Sequence, residues 1–191
     1  NCTMQYTPGW DWIQPVRDRN TGIWDEVSIT TTGDVKVQHP YVVTKVPGVR
    51  NPEDKKQAPA FLETTVELEN VTQQTLQGTA VAEFGGKKMT QTVVLKPLEK
   101  KIVSFEKQTI KEPQLWWPNG IGAHPMQQIR FSFTSNNKES DSETVNFGIR
   151  EITTAKNPTN GGREFYVNGQ RIYITGGNYI DSDWMLRLSP E

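Results

Sequence analysis

Trp10, Asp11 and Trp12 place a carboxylate between two aromatic side chains, within the stretch GWDWIQP at positions 9–15. Gly9 and Pro15 bound this stretch and indicate a tight loop. A carboxylate accepts hydrogen bonds from hydroxyl groups, and an indole ring packs against C–H groups. The stretch therefore has the chemistry to hold a ligand with hydroxyls around its edge and C–H groups on its faces, as a sugar has.

A second candidate lies in GGNYIDSD at positions 176–183. Gly176 and Gly177 permit close backbone approach or a positive φ. The polar side chains of Asn178, Tyr179 and Asp183 follow them, so either ligand contact or packing would suit this stretch.

Other chemistry has little support in the sequence. The aspartates Asp11, Asp18, Asp181 and Asp183 form no pair that the sequence can place together. Cys2 is the single cysteine, so it forms no internal disulfide and supplies no metal site by itself. We expect no metal and no cofactor.

The composition excludes two classes of partner. Lys and Arg number 21 against 22 for Asp and Glu, and the net charge is -1, which does not suit nucleic acid or an anionic membrane. No apolar run approaches the roughly 20 residues that cross a bilayer.

Short segments rich in Val, Ile, Thr and Phe recur along the chain and end at Gly, Pro, Asn or Asp, which is typical of strands. Such evenly spaced strands predict an all-β, immunoglobulin-like antiparallel sandwich. The segments are VSITTTG (27–33), VKVQHPYVVTKVPG (35–48), AFLETTVELENV (60–71), TLQGTAVAEFGG (75–86), KMTQTVVLKP (88–97), KKIVSFEKQTI (100–110), QQIRFSFTSNN (127–137) and ETVNFGIREITTAK (143–156).

Alternation within these segments predicts which side chains form the core. In FLETTVELEN, the apolar Phe61, Val66 and Leu68 are interleaved with glutamates and a threonine. The charged stretch 48–59 is expected to be an exposed loop. The predicted core comprises Val66, Leu68, Val81, Val93, Val103, Phe105, Ile129 and Phe131.

The C-terminal part predicts a hairpin, REFYVNGQRIYITGG at positions 163–177. Asn168-Gly169 is a favoured pair for a two-residue type I′ turn. Ser189 and Pro190 then resemble an N-cap and a first helical residue.

Several of these stretches, in this order, resemble family-two glycoside hydrolases, the superfamily of β-galactosidases, β-mannosidases, β-glucuronidases and exo-β-glucosaminidases. The resemblance rests on GWDWIQPVRDRNTGIWDEVSI, LWWPNGIGAHPMQQIRFSF, FGIREI and FYVNGQRIYITGGNYIDSDWMLRLSPE. The final stretch is most similar to the exo-glucosaminidase and endo-mannosidase branch.

The resemblance implies that the chain is part of a larger enzyme. Residues 1–33 would be the last strands of a jelly-roll sugar-binding domain, 34–150 an immunoglobulin-like sandwich, and 151–191 a hairpin and first strand leading into a (β/α)₈ barrel. The family is retaining, and its two catalytic glutamates would lie beyond Glu191. No catalytic residue is therefore expected in this chain.

The resemblance also bears on the candidate residues. It implies that Asp11 holds hydroxyls of a terminal sugar, although Trp10 and Trp12 would equally fill a domain interface. Asn178, Tyr179 and Asp183 would lie at the active-site end of the first barrel strand. The family places Trp116 and Trp117 at a turn in the sandwich, which favours packing over a sugar platform.

Two functions remain open from the sequence. One is a non-catalytic middle fragment of a retaining, exo-acting β-glycosidase, whose partners are a β-linked carbohydrate and the rest of the parent chain. The other is a freestanding immunoglobulin-like carbohydrate-binding or adhesion module. Apolar side chains near both ends also predict dimerisation, or packing of the ends on each other: Trp10, Trp12, Trp24, Trp184, Met185 and Leu186.

Overall fold

The fold was obtained as a computed structural model that describes residue 23 and residues 26–177. Residues 31–173 form one compact unit. The described residues contain no helix with the length and apolarity to cross a bilayer. Their strands are β1 (Val35–Lys45), β2 (Ala60–Asn70), β3 (Leu76–Phe84), β4 (Lys87–Leu95), β5 (Lys100–Ser104), β6 (Gln108–Ile110), β7 (Gln127–Ser135), β8 (Lys138–Phe147), β9 (Ile152–Lys156), β10 (Arg163–Val167) and β11 (Gln170–Ile172).

These strands form three antiparallel sheets. The first has the order β1-β2-β5, with β6 also paired to β2, and the second has the order β4-β3-β7-β8. Both contribute to one hydrophobic core. The third sheet, β11-β10-β9, follows the sandwich in the chain. The predicted all-β antiparallel sandwich is confirmed, whereas the proposed domain boundaries remain predictions.

Strand β2 shows how alternation builds the core. Leu62, Val66 and Leu68 point inward and are buried, and the glutamates between them point outward. Phe61 has the opposite parity, so the prediction that it shares a face with Val66 and Leu68 is wrong. Its ring lies on the outer face, where the Lys107 ammonium sits 4.7 Å from the ring centroid.

The predicted core is buried except for one residue. Val81 is only half-buried because Ala80 and Ala82, its neighbours in β3, are the side chains that point inward. In the register of the sheet these alanines lie opposite Phe133 and Phe131 of β7. The small alanines leave room for the two phenylalanine rings in the close-packed core. Val81, although larger and apolar, therefore points outward. The buried members are Val66, Leu68, Val93, Val103, Phe105, Ile129 and Phe131.

The predicted strand at 27–33 is also wrong. Residues 26–33 have no strand structure, and the side chains of Val27 and Ile29 are 73% and 93% exposed. High β-propensity does not form a strand by itself, since the propensity reflects packing against neighbouring strands. Val27 and Ile29 lack that packing.

The corner after β2 is held by a buried asparagine. The Asn70 amide donates to the carbonyls of Gln74 and Lys96, at 2.7 and 2.8 Å, and accepts from the backbone and hydroxyl of Thr72. Asn70-Val71-Thr72 matches the acceptor pattern for N-glycosylation. Because the side chain is fully buried and fully bonded, the asparagine serves the corner in the folded chain.

The predicted hairpin turn is confirmed. Asn168 and Gly169 join β10 to β11 with φ values of 51° and 78°, as a type I′ turn requires. The turn lies against the loop after β1. A Cβ atom on Gly169 would overlap the carbonyl oxygen of Gly48 and lie 2.8 Å from the Cα of Val49.

We predict that Gly169→Ala destabilises the chain more than Gly120→Ala does. Both glycines have a φ of 78°, so both substitutions introduce the same backbone strain, about 1–2 kcal/mol. A Cβ at Gly120 meets no atom within 4 Å, whereas at Gly169 it meets backbone. The overlap adds about 1–3 kcal/mol to the loss. Denaturant unfolding measures the difference, and equal losses would contradict close docking of the turn.

Candidate functional site

The residues predicted to contact a sugar lie outside the described part of the chain. They are Trp10, Asp11, Trp12, Asn178, Tyr179 and Asp183. Their role therefore stays a prediction.

The remaining motifs meet at one place, which we call the junction: residues 44–50, 115–117, 147–151 and 167–169. Leu115 forms a parallel bridge with Ile149, and the backbone amide of Trp116 donates to the Ile149 carbonyl at 2.9 Å. Leu115, Trp117, Ile149 and Val167 are all buried there. Motifs that are distant in sequence thus form one packed structure.

Asn168 links the hairpin to three other segments of the junction. Its side-chain oxygen accepts from the backbone amide of Glu151 at 2.9 Å, and its side-chain nitrogen donates to the Trp116 carbonyl at 3.0 Å. Its own backbone donates to the Glu151 carbonyl and accepts from the Arg50 amide, at 2.8 and 3.0 Å. The residue is completely buried. A short rigid side chain that carries an acceptor and a donor on one planar amide suits this position.

The segment before β9 is fixed to the end of β1 by side chains from both. The Thr44 hydroxyl accepts from the Arg150 amide at 3.1 Å and donates to the Arg150 carbonyl. The Glu151 carboxylate accepts from the Val46 amide at 2.8 Å and pairs with the Lys45 ammonium at 3.2 Å. The chain therefore enters the third sheet at a fixed point of the sandwich.

Neither tryptophan of LWWPNG offers an open platform. Trp117 is 2% exposed and belongs to the core. Trp116 is half-buried, the Arg150 guanidinium lies 4.3 Å from its ring centroid, and His124 packs edge-on at 5.7 Å. This geometry agrees with the packing role that the resemblance implies for both residues.

The third sheet carries a charged network on β10 and β11. The pKa of the Glu164 carboxyl is lowered because the Tyr166 hydroxyl donates to it at 2.7 Å and the Asn157 amide at 2.8 Å, with Arg171 at 3.0 Å. The same hydrogen bond raises the pKa of the Tyr166 hydroxyl. A carboxylate held ionised in this way is unsuited to donate a proton, and its contacts link β10 to β11 and to the turn before β10.

Glu143 and Asp141 are two carboxyl groups on the same strand, β8. Partial desolvation raises the pKa of Glu143, the charge of Asp141 adds to that, and His39 opposes it. The Asp141 carboxylate, however, accepts from the backbone amides of Val37 and Ser142, both at 2.8 Å. Because it holds β1 against β8, it is committed to a structural role.

Within residue 23 and residues 26–177, no group of three His, Cys, Asp or Glu side chains could hold a metal ion. What the junction provides is a fixed geometry between the sandwich and the β10–β11 hairpin. Sequence analysis identified the Asn-Gly pair as a turn but missed the Asn168 amide as a link, and it missed the roles of Thr44 and Glu151. A polar side chain in a tight turn between apolar strands gives no sequence signal of a distant partner.

Comparison with known proteins places these features in a family. The family model for glycosyl hydrolases family 2 matches residues 44–150, which is more than half of the chain. The match runs from Thr44 to Arg150, two residues that bond to each other in the junction.

Individual relatives agree with this match. The chain is 38% identical to a mannosylglycoprotein endo-β-mannosidase of Lilium longiflorum, over 99% of this chain and 20% of the relative. It is 33% identical to an exo-β-D-glucosaminidase of Hypocrea virens, over 93% of this chain and 20% of the relative.

A solved structure shows the same fold. The exo-chitosanase of Amycolatopsis orientalis matches with a TM-score of 0.71 and 28% identity, over 83% of this chain and 18% of that one. The chain spans about a fifth of the length of the curated relatives it matches. With more than half of its residues matched by the family model, the chain belongs to family 2 of the glycosyl hydrolases.

Proposed function

We propose that this chain is the non-catalytic middle segment of a retaining, exo-acting β-glycosidase. Its sandwich positions a sugar-binding domain against a catalytic barrel. The observation that carries the proposal is the Asn168 link, which fixes the β10–β11 hairpin to the sandwich through three separate segments. Such a link suits a chain whose task is to hold other parts in place.

The names of the relatives support the substrate class. An exo-β-D-glucosaminidase and an endo-β-mannosidase both act on β-linked sugars, and each matches nearly the whole chain. A β-linked carbohydrate is accordingly the substrate that we propose for the longer enzyme. Residues 1–33 would belong to its sugar-binding domain, 34–150 to the sandwich and 151–191 to the lead-in of the barrel.

The chemistry of the described residues supports a positioning role. Retention needs one carboxyl group to protonate the leaving oxygen and another, about 5 Å away, to attack the sugar. The proton donor needs a raised pKa. In the described part of the chain, Glu164 is held ionised by its neighbours. Glu143 has a raised pKa, but Asp141, the carboxylate whose charge contributes to that shift, is bonded to backbone amides and is not free to attack a sugar. The catalytic pair is therefore proposed to lie outside this chain.

The site residues remain part of the proposal. Asp11 would accept hydrogen bonds from hydroxyls of the terminal sugar, with Trp10 and Trp12 beside it. Asn178, Tyr179 and Asp183 would contribute from the start of the first barrel strand. Association of this chain with itself would follow from the apolar side chains near its ends.

We predict that the 191-residue chain alone hydrolyses no aryl β-glycoside above background. The measurement is a panel of nitrophenyl β-mannoside, β-glucosaminide, β-galactoside and β-glucuronide, with the longer enzyme as the positive control. Turnover that copurifies with the chain would show that it contains a catalytic pair.

In the longer enzyme, we predict that Asp11→Ala reduces kcat/KM while folding is preserved. Loss of a hydrogen bond to a charged group costs about 1.5–3 kcal/mol. If the contact tightens in the transition state, kcat falls together with kcat/KM. Asp18→Ala is the control on the same stretch, and unchanged kinetics for Asp11→Ala would indicate that GWDW only packs an interface.

We further predict that Asn168→Gly in the longer enzyme lowers kcat/KM by about tenfold or more, because misplaced elements cost large factors in rate. Glycine tolerates the positive φ, so the change isolates loss of the amide. Asn136→Gly is the backbone control, since Asn136 has the same φ of 51° in an exposed turn.

A second control separates positioning from stability. Asn70→Ala removes an equally buried amide at the far corner of the sandwich, one with four side-chain hydrogen bonds where Asn168 has two. Well below the unfolding temperature, we expect the Asn70→Ala enzyme to retain its kcat and the Asn168→Gly enzyme to have a lower kcat. Activity losses that simply follow the loss of stability in both variants would contradict a positioning role.

A further inference from the structure

The side chains of Arg150 and Trp116 stack on each other, and hydrogen bonds fix the backbone of both residues. The guanidinium lies 4.3 Å from the indole centroid. Trp116 is held through its amide and carbonyl by Ile149 and Asn168, and Arg150 is held through both of its backbone groups by Thr44. The position of the guanidinium is therefore set before any partner binds.

Gly148 provides the space for this stack. A Cβ atom there would lie 2.9 Å from Cβ and Cγ of Trp116 and 2.9 Å from Nη1 of Arg150. Gly148 does not have a positive φ, so its backbone conformation does not require glycine. The missing side chain allows the arginine to lie against the ring.

Arg150 is the one arginine in the described part of the chain with no hydrogen bond or ion pair from its side chain. The others have partners: Arg50 donates to the Pro59 carbonyl, Arg130 to Glu139, Arg163 to Thr154 and Arg171 to Glu164. A guanidinium that stacks on an aromatic face keeps its N–H donors directed outward in its own plane. These donors are fixed in position and have no acceptor among the residues that the structure describes.

The guanidinium borders a groove of about 410 Å³ on the surface of the sandwich. Exposed apolar side chains also line this groove: Tyr41, Met126 and Ile152 are 64%, 55% and 58% exposed. The neighbouring Lys45 and Glu151 neutralise each other. The groove therefore combines a free positive charge with an apolar rim, a composition typical of the energetic centre of an interface.

We infer that Arg150 is the docking point for an aspartate or glutamate side chain from the part of the longer enzyme outside this chain. This rests on the proposed function, since the chain spans about a fifth of its relatives. A planar carboxylate accepts two parallel bonds from a guanidinium. The apolar rim would pack against side chains next to that carboxylate, and the contact would hold the catalytic part against the sandwich beside the Asn168 link.

The test compares hydrogen exchange of peptide 146–152 in the 191-residue chain and in the longer enzyme. Arg150→Met should speed exchange in the longer enzyme by roughly 10- to 100-fold, as expected for loss of a charged hydrogen bond. In the chain alone, where only the stack is lost, the change should be within about fivefold. Arg150→Lys should not restore protection, because an ammonium lacks the planar fork.

Arg130→Met is the matched control, since Arg130 pairs with Glu139 within the sandwich. It should have the same small effect on peptide 146–152 in both proteins. An equal effect of Arg150→Met in both proteins, or full protection by Arg150→Lys, would overturn the inference. Glycoside hydrolysis by the longer enzyme is scored separately: an active enzyme with equal exchange effects refutes the docking point and leaves the proposed function standing.

Discussion

The structure depends on the four hydrogen bonds of Asn168. A buried amide costs free energy unless its donors and acceptor are satisfied, and here the partners are backbone groups of Glu151 and Trp116. With the backbone bonds to Glu151 and Arg50, they join the hairpin turn to three segments of the sandwich. The turn is favoured at this place on the sandwich because its buried polar groups are paired there.

The rest of the junction follows from fixing that turn. Gly169 lets the turn approach the loop at Gly48, and Thr44 and Glu151 fix the chain between β8 and β9 to the end of β1. Trp117 and Ile149 are buried in the hydrophobic core at the junction. Local turn chemistry, backbone pairing and core packing therefore agree on one arrangement, as is typical of sequences that specify a single structure.

Much of the fold could be predicted from the sequence because strand alternation and turn residues are local signals. They gave the sandwich, most of its core and the Asn168-Gly169 turn. They failed where packing against another strand determines the structure. At Val81, the phenylalanines of β7 lie opposite the alanines, which are therefore the inner residues. At 27–33, the apolar side chains do not pack against another strand. The junction could not be predicted because its bonds join residues up to 106 positions apart. The role proposed for Arg150 could not be predicted either, because a sequence does not show which arginines have partners within the fold.

We expect the hairpin and the sandwich to form one rigid body through Asn168. Residual dipolar couplings of backbone amides in the 191-residue chain test this most directly, because they report the orientation of each bond relative to a common frame. Amides of β1–β8 and of β10–β11 should fit a single alignment tensor. Two different tensors, or couplings averaged towards zero in the hairpin alone, would contradict it.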